Sequence, residues 1–374
     1  MIATNKQPVA ERVFDLLRSG RELTRQEIAA SLSLSMPTTL QNVTGLLEAG
    51  ILEESGAAKS SGGRKARRLR LRAEAGQVLG IDVAVCHVEL ISANLLGEVQ
   101  RSQALPLAFT DTPGWYDGLH QALTAFLQEA SPAPVLGAGI SFPGTLDGPE
   151  WISSHIFRLS HMGLDRFRRA VPFPVVFEND ANCACCAELP TAARHSYFYL
   201  SLNETVGGAV MLDGSLLTGD TFQAGEVGHV LLIPGGERCY CGKSGCADAY
   251  LSPKVLGDSL ERFFDRQRAG EPEAQARWER YLDHLAILLT NLRMLYNMNL
   301  IVGGAVGAQI APSLPALRAR AAAYDRFARD IDYIFPCACR EHACAAGAAR
   351  LALDRFSSRI LEPVLTESPA PAES

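Results

Sequence analysis

Long apolar runs are absent from this 374-residue sequence. No stretch stays apolar over the roughly 20 residues that a membrane-spanning helix needs, which excludes an integral membrane protein. The opening residues, MIATNKQPVAERVFDLL, also lack the basic segment, apolar run and cleavage site of a secretory signal peptide. We therefore expect a cytoplasmic protein with no membrane partner.

Strong compositional bias is absent as well. Hydrophobic residues make up 47% of the chain and charged residues 20%, which is typical of a globular protein. The length exceeds what one ordinary hydrophobic core supports and predicts two or three domains. Only the end, TESPAPAES, has the composition of a disordered tail, which we place at residues 363–374.

Ten cysteines stand in a chain expected in a reducing compartment, so clustered thiols indicate metal ligands rather than disulfides. His229, Cys239, Cys241 and Cys246 follow the spacing H-x9-C-x-C-x4-C, and glycines among them let the turn wrap a small ion. Four protein ligands leave no position for an activated water, so we predict a structural Zn²⁺ site. A chance cluster of buried thiols is the alternative.

A second cysteine triplet repeats part of this spacing in an alanine-rich stretch, CACREHACAAGAARLAL. Small residues at helical spacing favour burial in a helix interface over metal binding. We interpret the following six cysteines as small packing residues: Cys183, Cys185, Cys186, Cys337, Cys339 and Cys344.

Charge is distributed unevenly. Residues 1–75 hold 12 Lys and Arg against 8 Asp and Glu, whereas the rest of the chain holds 23 against 33. A basic front on an acidic body suggests a nucleic-acid-binding head on a ligand-handling body, although a solvated charged face gives the same count.

Residues 1–73 follow the order helix, short helix, turn, helix, strand of a winged helix-turn-helix domain. Thr24 and Glu27 form a capping box at the start of the second helix, and Ser35 is placed to cap the third. Gly50 is expected to end that helix. Its buried face is expected to comprise Leu40, Val43, Leu46 and Leu47.

Small polar side chains on the third helix are suited to base edges in a major groove, and the basic segment KSSGGRKARRLRLR (59–72) is suited to phosphates or a minor groove. The alternatives are an ordinary three-helix packing unit and a solvated basic linker. The predicted DNA-contacting residues are Ser35, Thr38, Thr39, Gln41, Asn42, Arg64, Lys65 and Arg67.

The remaining body, residues 74–362, alternates strand patterns with helical segments, and two similar strand–loop–strand stretches begin near residues 78 and 196. This repetition predicts two α/β lobes with a ligand cleft between them. Asn179 and Asp180 end a buried strand, where a carboxylate could accept a proton, or where both residues simply cap a helix. Glu226 and His229 follow in a glycine-flanked turn that permits a close ligand.

These motifs together resemble the ROK family, which contains sugar kinases and sugar-responsive repressors on an actin-like, two-lobed ATPase fold. The resemblance rests on SFPGTLDG, FENDANCACCAE, AGEVGHV, CYCGKSGCAD and LIVGGAVG in the family's order, with SGGRKAR in the wing of its repressor branch. It implies that Asp180 occupies the position of the kinase base. The sugar-binding residues that it implies are Asn179, Asp180, Glu226, His229 and Asp248, the last standing where the family usually has Glu.

The phosphate-binding loops depart from this pattern. The kinase Asp-x-Gly-Gly-Thr loop corresponds to DVAVC (82–86), and the second loop, NETVGG, carries Glu204. Side chains and a negative charge in these loops disfavour ATP phosphates. We therefore predict a non-enzymatic repressor that binds double-stranded operator DNA as a homodimer or homotetramer and responds to a sugar. The rivals are an active sugar kinase with a DNA-binding head and a regulator controlled by a protein partner.

Overall fold

The computed structural model of the chain describes residues 7–57, 67–148, 150–189, 195–257, 259–327 and 332–366. It has an N-terminal winged helix-turn-helix domain followed by two α/β lobes. None of the helices in these ranges combines the length and the apolar character of a membrane span.

The N-terminal domain starts as its local sequence dictates. Thr24 accepts a hydrogen bond from the amide of Glu27 and Glu27 accepts one from the amide of Thr24, which confirms the capping box. Ser35 caps the third helix as predicted. The elements are α1 (Val9–Arg18), β1 (Leu23–Thr24), α2 (Arg25–Leu32), α3 (Met36–Glu48), β2 (Leu52–Ala57) and β3 (Arg67–Leu71).

The first lobe carries a five-stranded sheet in the order β11-β7-β4-β5-β6, beside a small antiparallel sheet of β8, β9 and β10. Its elements are β4 (Gln77–Val83), β5 (Val88–Asn94), β6 (Val99–Leu105), α4 (Pro113–Gln128), β7 (Val135–Phe142), β8 (Thr145–Leu146), β9 (Trp151–Ser154), β10 (Leu159–Gly163), α5 (Asp165–Ala170), β11 (Val175–Asn179) and α6 (Asp180–Glu188).

The second lobe repeats this arrangement with strand order β14-β13-β12-β15-β16. In each lobe three consecutive antiparallel strands are extended by two parallel ones, as the predicted duplication requires. Its elements are β12 (Tyr197–Leu202), β13 (Val206–Leu212), β14 (Ser215–Leu216), α7 (Asp248–Leu251), α8 (Leu260–Arg268), α9 (Pro272–Tyr296), β15 (Asn299–Gly303), α10 (Gly304–Gly307), α11 (Leu314–Tyr324) and β16 (Ile334–Pro336).

Two helices, α6 and the later α12 (Ala343–Phe356), pack against each other between the lobes. Glycines let the backbones approach: a Cβ on Gly80 would lie 2.0 Å from the carbonyl oxygen of Ala345, and one on Gly347 would lie 1.6 Å from that of Cys183. Any larger residue at either position would force α12 away from β4 or from α6.

The winged helix domain shares one hydrophobic core with the first lobe. Phe14 and Leu46 of the head, Ile91 of β5 and Leu353 of α12 belong to the same buried cluster. Arg18 of α1 reinforces the contact through an ion pair with Asp354 at 2.8 Å and hydrogen bonds to α12 and the turn that follows it. The head is therefore attached to lobe one over a broad surface.

Three sequence expectations were wrong. Leu40 is 44% exposed, because α3 turns its Val43 and Leu46 inward instead. Thr39 is fully buried, since its hydroxyl donates to the carbonyl of Ser35 within the first turn. The predicted disordered tail began too early, since residues 363–366 belong to α13 (Glu362–Thr366). Residues 367–374 lie outside the described ranges.

Candidate functional site

The junction of β11 and α6 places two predicted residues at the cleft. The side-chain oxygen of Asn179 accepts hydrogen bonds from the amides of Ala181 and Asn182, and its nitrogen donates to the carbonyl of Gly144 at 2.9 Å. Asn179 thus caps α6 and fixes a neighbouring loop, as the capping interpretation holds. It also lines the cleft.

Asp180 follows as the first residue of α6 and faces the space between the lobes. The pKa of Asp180 is raised to about 6, chiefly by burial and also by the nearby carboxylate of Glu226, which together outweigh the lowering effect of hydrogen bonds. The acid therefore titrates near neutrality, where it can accept a hydrogen bond or a proton from a hydroxyl group.

A small polar pocket of about 80 Å³ lies beside Asp180, and we call it the polar pocket. The hydroxyl of Thr145 on lobe one is 3.4 Å from Oε1 of Glu226 on lobe two, so the two lobes meet across it. Its polar side chains are those of Thr145, Ser153, His155, Asn179, Asp180, Asn182, Ser201, Thr205, Glu226, His229 and Tyr240.

Asp248 does not join the polar pocket. Its buried carboxylate accepts a hydrogen bond from the amide of Val206 at 2.7 Å. The side chain therefore ties the start of α7 to β13, and four of the five predicted sugar-binding residues remain together.

Seven of the polar lining residues were missed from the sequence, among them Thr145, His155 and Tyr240. Thr145 lies inside the quoted motif SFPGTLDG, and Tyr240 lies between two predicted zinc ligands, so both had a signal. His155 had none, since the strand that precedes it, β9, belongs to a small sheet whose position depends on tertiary packing.

The four predicted metal ligands do converge. One ligand atom from each of His229, Cys239, Cys241 and Cys246 lies within 4.8 Å of the others. Two separations, 3.8 Å from Cys239 Sγ to His229 Nδ1 and 3.7 Å from Cys241 Sγ to Cys246 Sγ, match a tetrahedral zinc ion, whose ligand atoms stand about 3.7 Å apart. The donor set fits Zn²⁺.

His229 joins this cluster to the polar pocket. Its Nδ1 faces the thiols, whereas its Nε2 lies 3.2 Å from the hydroxyl of Tyr240. Lys243 donates to the carbonyl of His229 at 2.8 Å. One imidazole is therefore placed to serve as a metal ligand on one side and to line the pocket on the other.

A second space of about 700 Å³ opens on the other side of Asp180, and we call it the large cavity. The two loops that differ from the kinase phosphate-binding pattern both line it, through Ala84 and Val85 of the first loop and Glu204 of the second. Asp82 lies at its base, where it accepts a hydrogen bond from Ser141 Oγ at 2.6 Å. Burial raises the pKa of Asp82 to about 7.

The residues predicted to contact DNA are placed as follows. Gln41 is exposed on α3, whereas Asn42 is half-buried and donates to the carbonyl of Thr38. The hydroxyls of Ser35 and Thr38 bond each other at 2.7 Å. Arg67 is exposed on β3 and pairs with Glu54 of β2. Arg64 and Lys65 lie outside the described residues.

The sequence profile of the ROK family matches residues 78–355 of this chain. This chain belongs to the ROK family. The match covers both lobes. The winged helix precedes this actin-like, two-lobed body in the chain.

The matched relatives include proteins named as repressors and proteins named as kinases. The xylose repressor of Bacillus subtilis is 28% identical over 252 residues, 64% of each chain, so this chain spans about 64% of that relative's length. The N-acetylmannosamine kinase of Salmonella arizonae is 30% identical over 237 residues, 58% of this chain and 78% of that one.

Among solved structures, a ROK family transcriptional regulator described as a homologue of the Escherichia coli MLC protein superposes with a TM-score of 0.74. The match covers 96% of this chain and 98% of that one at 19% sequence identity. At this identity the likeness shows the fold, which includes the N-terminal domain as well as both lobes.

Proposed function

We propose that this chain is a sugar-responsive DNA-binding transcriptional regulator, a repressor, that binds a sugar in the polar pocket and does not phosphorylate it. The supporting observation is that a winged helix shares its core with lobe one, and that the body carries a cleft in which four of the five predicted sugar-binding residues line one pocket while Glu204 lines the adjoining cavity. The matched relatives named as repressors agree with this.

A polyol suits the polar pocket because carboxylates, imidazoles and hydroxyls converge there. Asp180 and Glu226 supply acceptors for sugar hydroxyls, and His229 and Tyr240 supply groups able to donate or accept. Groups from both lobes take part, so a bound sugar would favour the closed arrangement of the lobes.

Zinc, when bound, crosslinks the loop that bears His229. The residues that would hold it are His229, Cys239, Cys241 and Cys246. Residues from 226 to 246 contain little regular structure, so fixing their ends orients Glu226, His229 and Tyr240 toward the pocket.

Phosphoryl transfer is disfavoured at the large cavity. Ala84 and Val85 carry side chains where bare amides would be needed, and Glu204 adds a negative charge at the second loop. Asp82 and Asp180 lie in the same cavity. A triphosphate would face these acids in a partly desolvated space, which is unfavourable without compensating cations.

Coupling to DNA can run through two helices in contact. Asp180 begins α6, which meets α12 at the close approach of Cys183 and Gly347. The other end of α12 holds Arg18 of the winged helix. A shift of α6 on sugar binding would therefore move the head, and in a dimer it would change the spacing of heads that must match half-sites about one helical turn apart.

The test is operator affinity measured by fluorescence anisotropy on DNA selected with the full-length protein. A sugar from a monosaccharide panel should change Kd by about 5- to 150-fold. Arg64→Ala should weaken DNA binding markedly, with exposed Arg262→Ala of α8 as the control. An operator affinity unaffected by every sugar and by Arg64→Ala would contradict the proposal.

An active sugar kinase is the second candidate, because Asp180 lines both the polar pocket and the large cavity and is placed as a proton acceptor between them. ATP-dependent formation of a sugar phosphate, lost in Asp180→Ala, would support this candidate instead.

A further inference from the structure

The polar pocket and the large cavity adjoin each other. Pro143, Ile156 and Asp180 line both of them. A ligand whose hydroxyls contact Asp180 in the polar pocket therefore lies directly beside the larger volume.

The two volumes differ in what they can enclose. Pockets that bury a small-molecule ligand typically measure about 300 to 1,000 Å³. The polar pocket, at about 80 Å³, falls well below this range, whereas the large cavity, at about 700 Å³, falls inside it. Most of the space available to an effector thus lies beyond Asp180.

The lining of the large cavity selects against an anionic occupant. Asp82, Glu89, Asp180 and Glu204 face it, and Glu89 already contacts His342. Two exposed cationic side chains, Lys254 and Arg340, also line the cavity. Glu89 is paired with His342, and Asp82, with its raised pKa, is only partly ionised near neutral pH. The remaining acids therefore roughly balance Lys254 and Arg340, so the cavity offers a phosphate no excess of positive charge and leaves donors and acceptors for a neutral polar group.

Apolar surface makes up the rest of the lining, with Ala84, Val85, Ile156 and Leu260 among its members. A neutral group with hydroxyls on its edge and an apolar face matches such walls. A second sugar ring or an aromatic aglycone has this chemistry, whereas a nucleoside triphosphate does not.

We infer that the effector is a neutral disaccharide or glycoside, with its first sugar in the polar pocket and its second unit in the large cavity. This inference rests on the proposed function, because it specifies the sugar to which the regulator responds. Ala343 and Cys344 at the start of α12 also line the large cavity, so the second unit would touch the helix that contacts the winged helix domain.

The test compares matched ligands on the full-length, zinc-loaded protein by isothermal titration calorimetry. Glucose, xylose and N-acetylglucosamine are titrated beside their disaccharides and their para-nitrophenyl glycosides in both anomeric forms. At least one extended ligand should bind about tenfold more tightly than its parent monosaccharide, which corresponds to about 1.4 kcal/mol.

A substitution that fills the cavity sharpens the test. Ala305 is exposed at its rim, and Ala305→Phe should remove the gain from the second unit while leaving the monosaccharide Kd unchanged. Val85→Trp, at a position 39% exposed, should do the same from the opposite lobe. Ala269→Phe, exposed on lobe two and outside the cavity, is the control.

Monosaccharides that bind as tightly as every extended ligand, or an extended ligand whose affinity survives both cavity substitutions, would overturn the inference and leave the regulator intact. The absence of binding by any sugar, short or extended, would instead contradict the proposed function itself. Tighter binding of sugar phosphates than of neutral glycosides would also overturn the inference.

Discussion

The polar pocket and the large cavity meet at Asp180, yet they are built differently. The polar pocket brings together hydroxyl, imidazole and carboxylate groups, and the loop beside it carries four side chains able to hold a metal ion. The large cavity is lined instead by Ala84, Val85 and Glu204, a lining that we propose disfavours phosphates. Under the proposed function, one half of the cleft binds a sugar while the other half no longer binds a nucleotide.

Removing the metal ion beside the polar pocket should have the largest effect of the changes considered. Cys246→Ser deletes a buried thiolate, and structural zinc contributes about 10 kcal/mol or more to the folding of small zinc sites. We expect zinc content to fall from close to one per chain to near zero, with loss of measurable sugar binding. Elemental analysis and calorimetry check both.

Cys86→Ser is the matched control for this change, since Cys86 is an exposed thiol outside the cluster. Its zinc content should match that of the wild type. A wild-type protein free of zinc, or a Cys246→Ser variant that binds sugar normally, would contradict the role given to the cluster.

Asp180→Asn should have the next largest effect. A hydrogen bond to a charged group contributes about 1.5 to 3 kcal/mol, so sugar affinity should fall roughly 10- to 100-fold. Asp117→Asn, an exposed acid of α4, should leave the affinity unchanged. Equal sugar affinity in Asp180→Asn and wild type, measured by calorimetry, would show that the Asp180 carboxylate does not contact the sugar.

Asp82→Asn should produce the smallest effect, on stability alone. The folded-state pKa of about 7 lies above the ordinary value of an aspartate, so this group stabilises the fold fully only at acidic pH and loses that contribution as pH rises through about 7. Asparagine keeps the acceptor for Ser141 without the charge. The variant should therefore gain a few degrees in Tm over wild type at pH 8, with little difference at pH 4, close to the ordinary aspartate pKa of 3.8.

Thermal melts at both pH values check this prediction. Glu204→Gln, an exposed acid of the same cavity, should show no comparable pH-dependent gain. An Asp82→Asn gain that is equal at both pH values would show that Asp82 is not protonated on the acidic side.

Much of the architecture could be predicted because it is encoded locally. The capping box at Thr24, the cap at Ser35 and the zinc-ligand spacing each depend on residues close in sequence. The repeated strand pattern likewise anticipates two sheets with the same strand order.

The errors concern which way a side chain faces once elements pack. The pattern of α3 predicted Leu40 buried and Thr39 exposed, whereas in the fold Thr39 is buried with its hydroxyl on the Ser35 carbonyl and Leu40 is exposed. Asp248 closely follows the last predicted zinc ligand in the sequence, but its carboxylate accepts a hydrogen bond from the Val206 amide and lies outside the polar pocket. His155 reaches the pocket only through tertiary packing.

Operator affinity in the presence of sugar, ATP or both tests the central claim most directly, with the reaction mixture analysed for sugar phosphate. We predict that sugar alone shifts Kd by about 5- to 150-fold, that ATP adds nothing, and that no sugar phosphate forms. ATP-dependent sugar phosphate that disappears in Asp180→Ala, together with an operator affinity that no sugar alters, would contradict it.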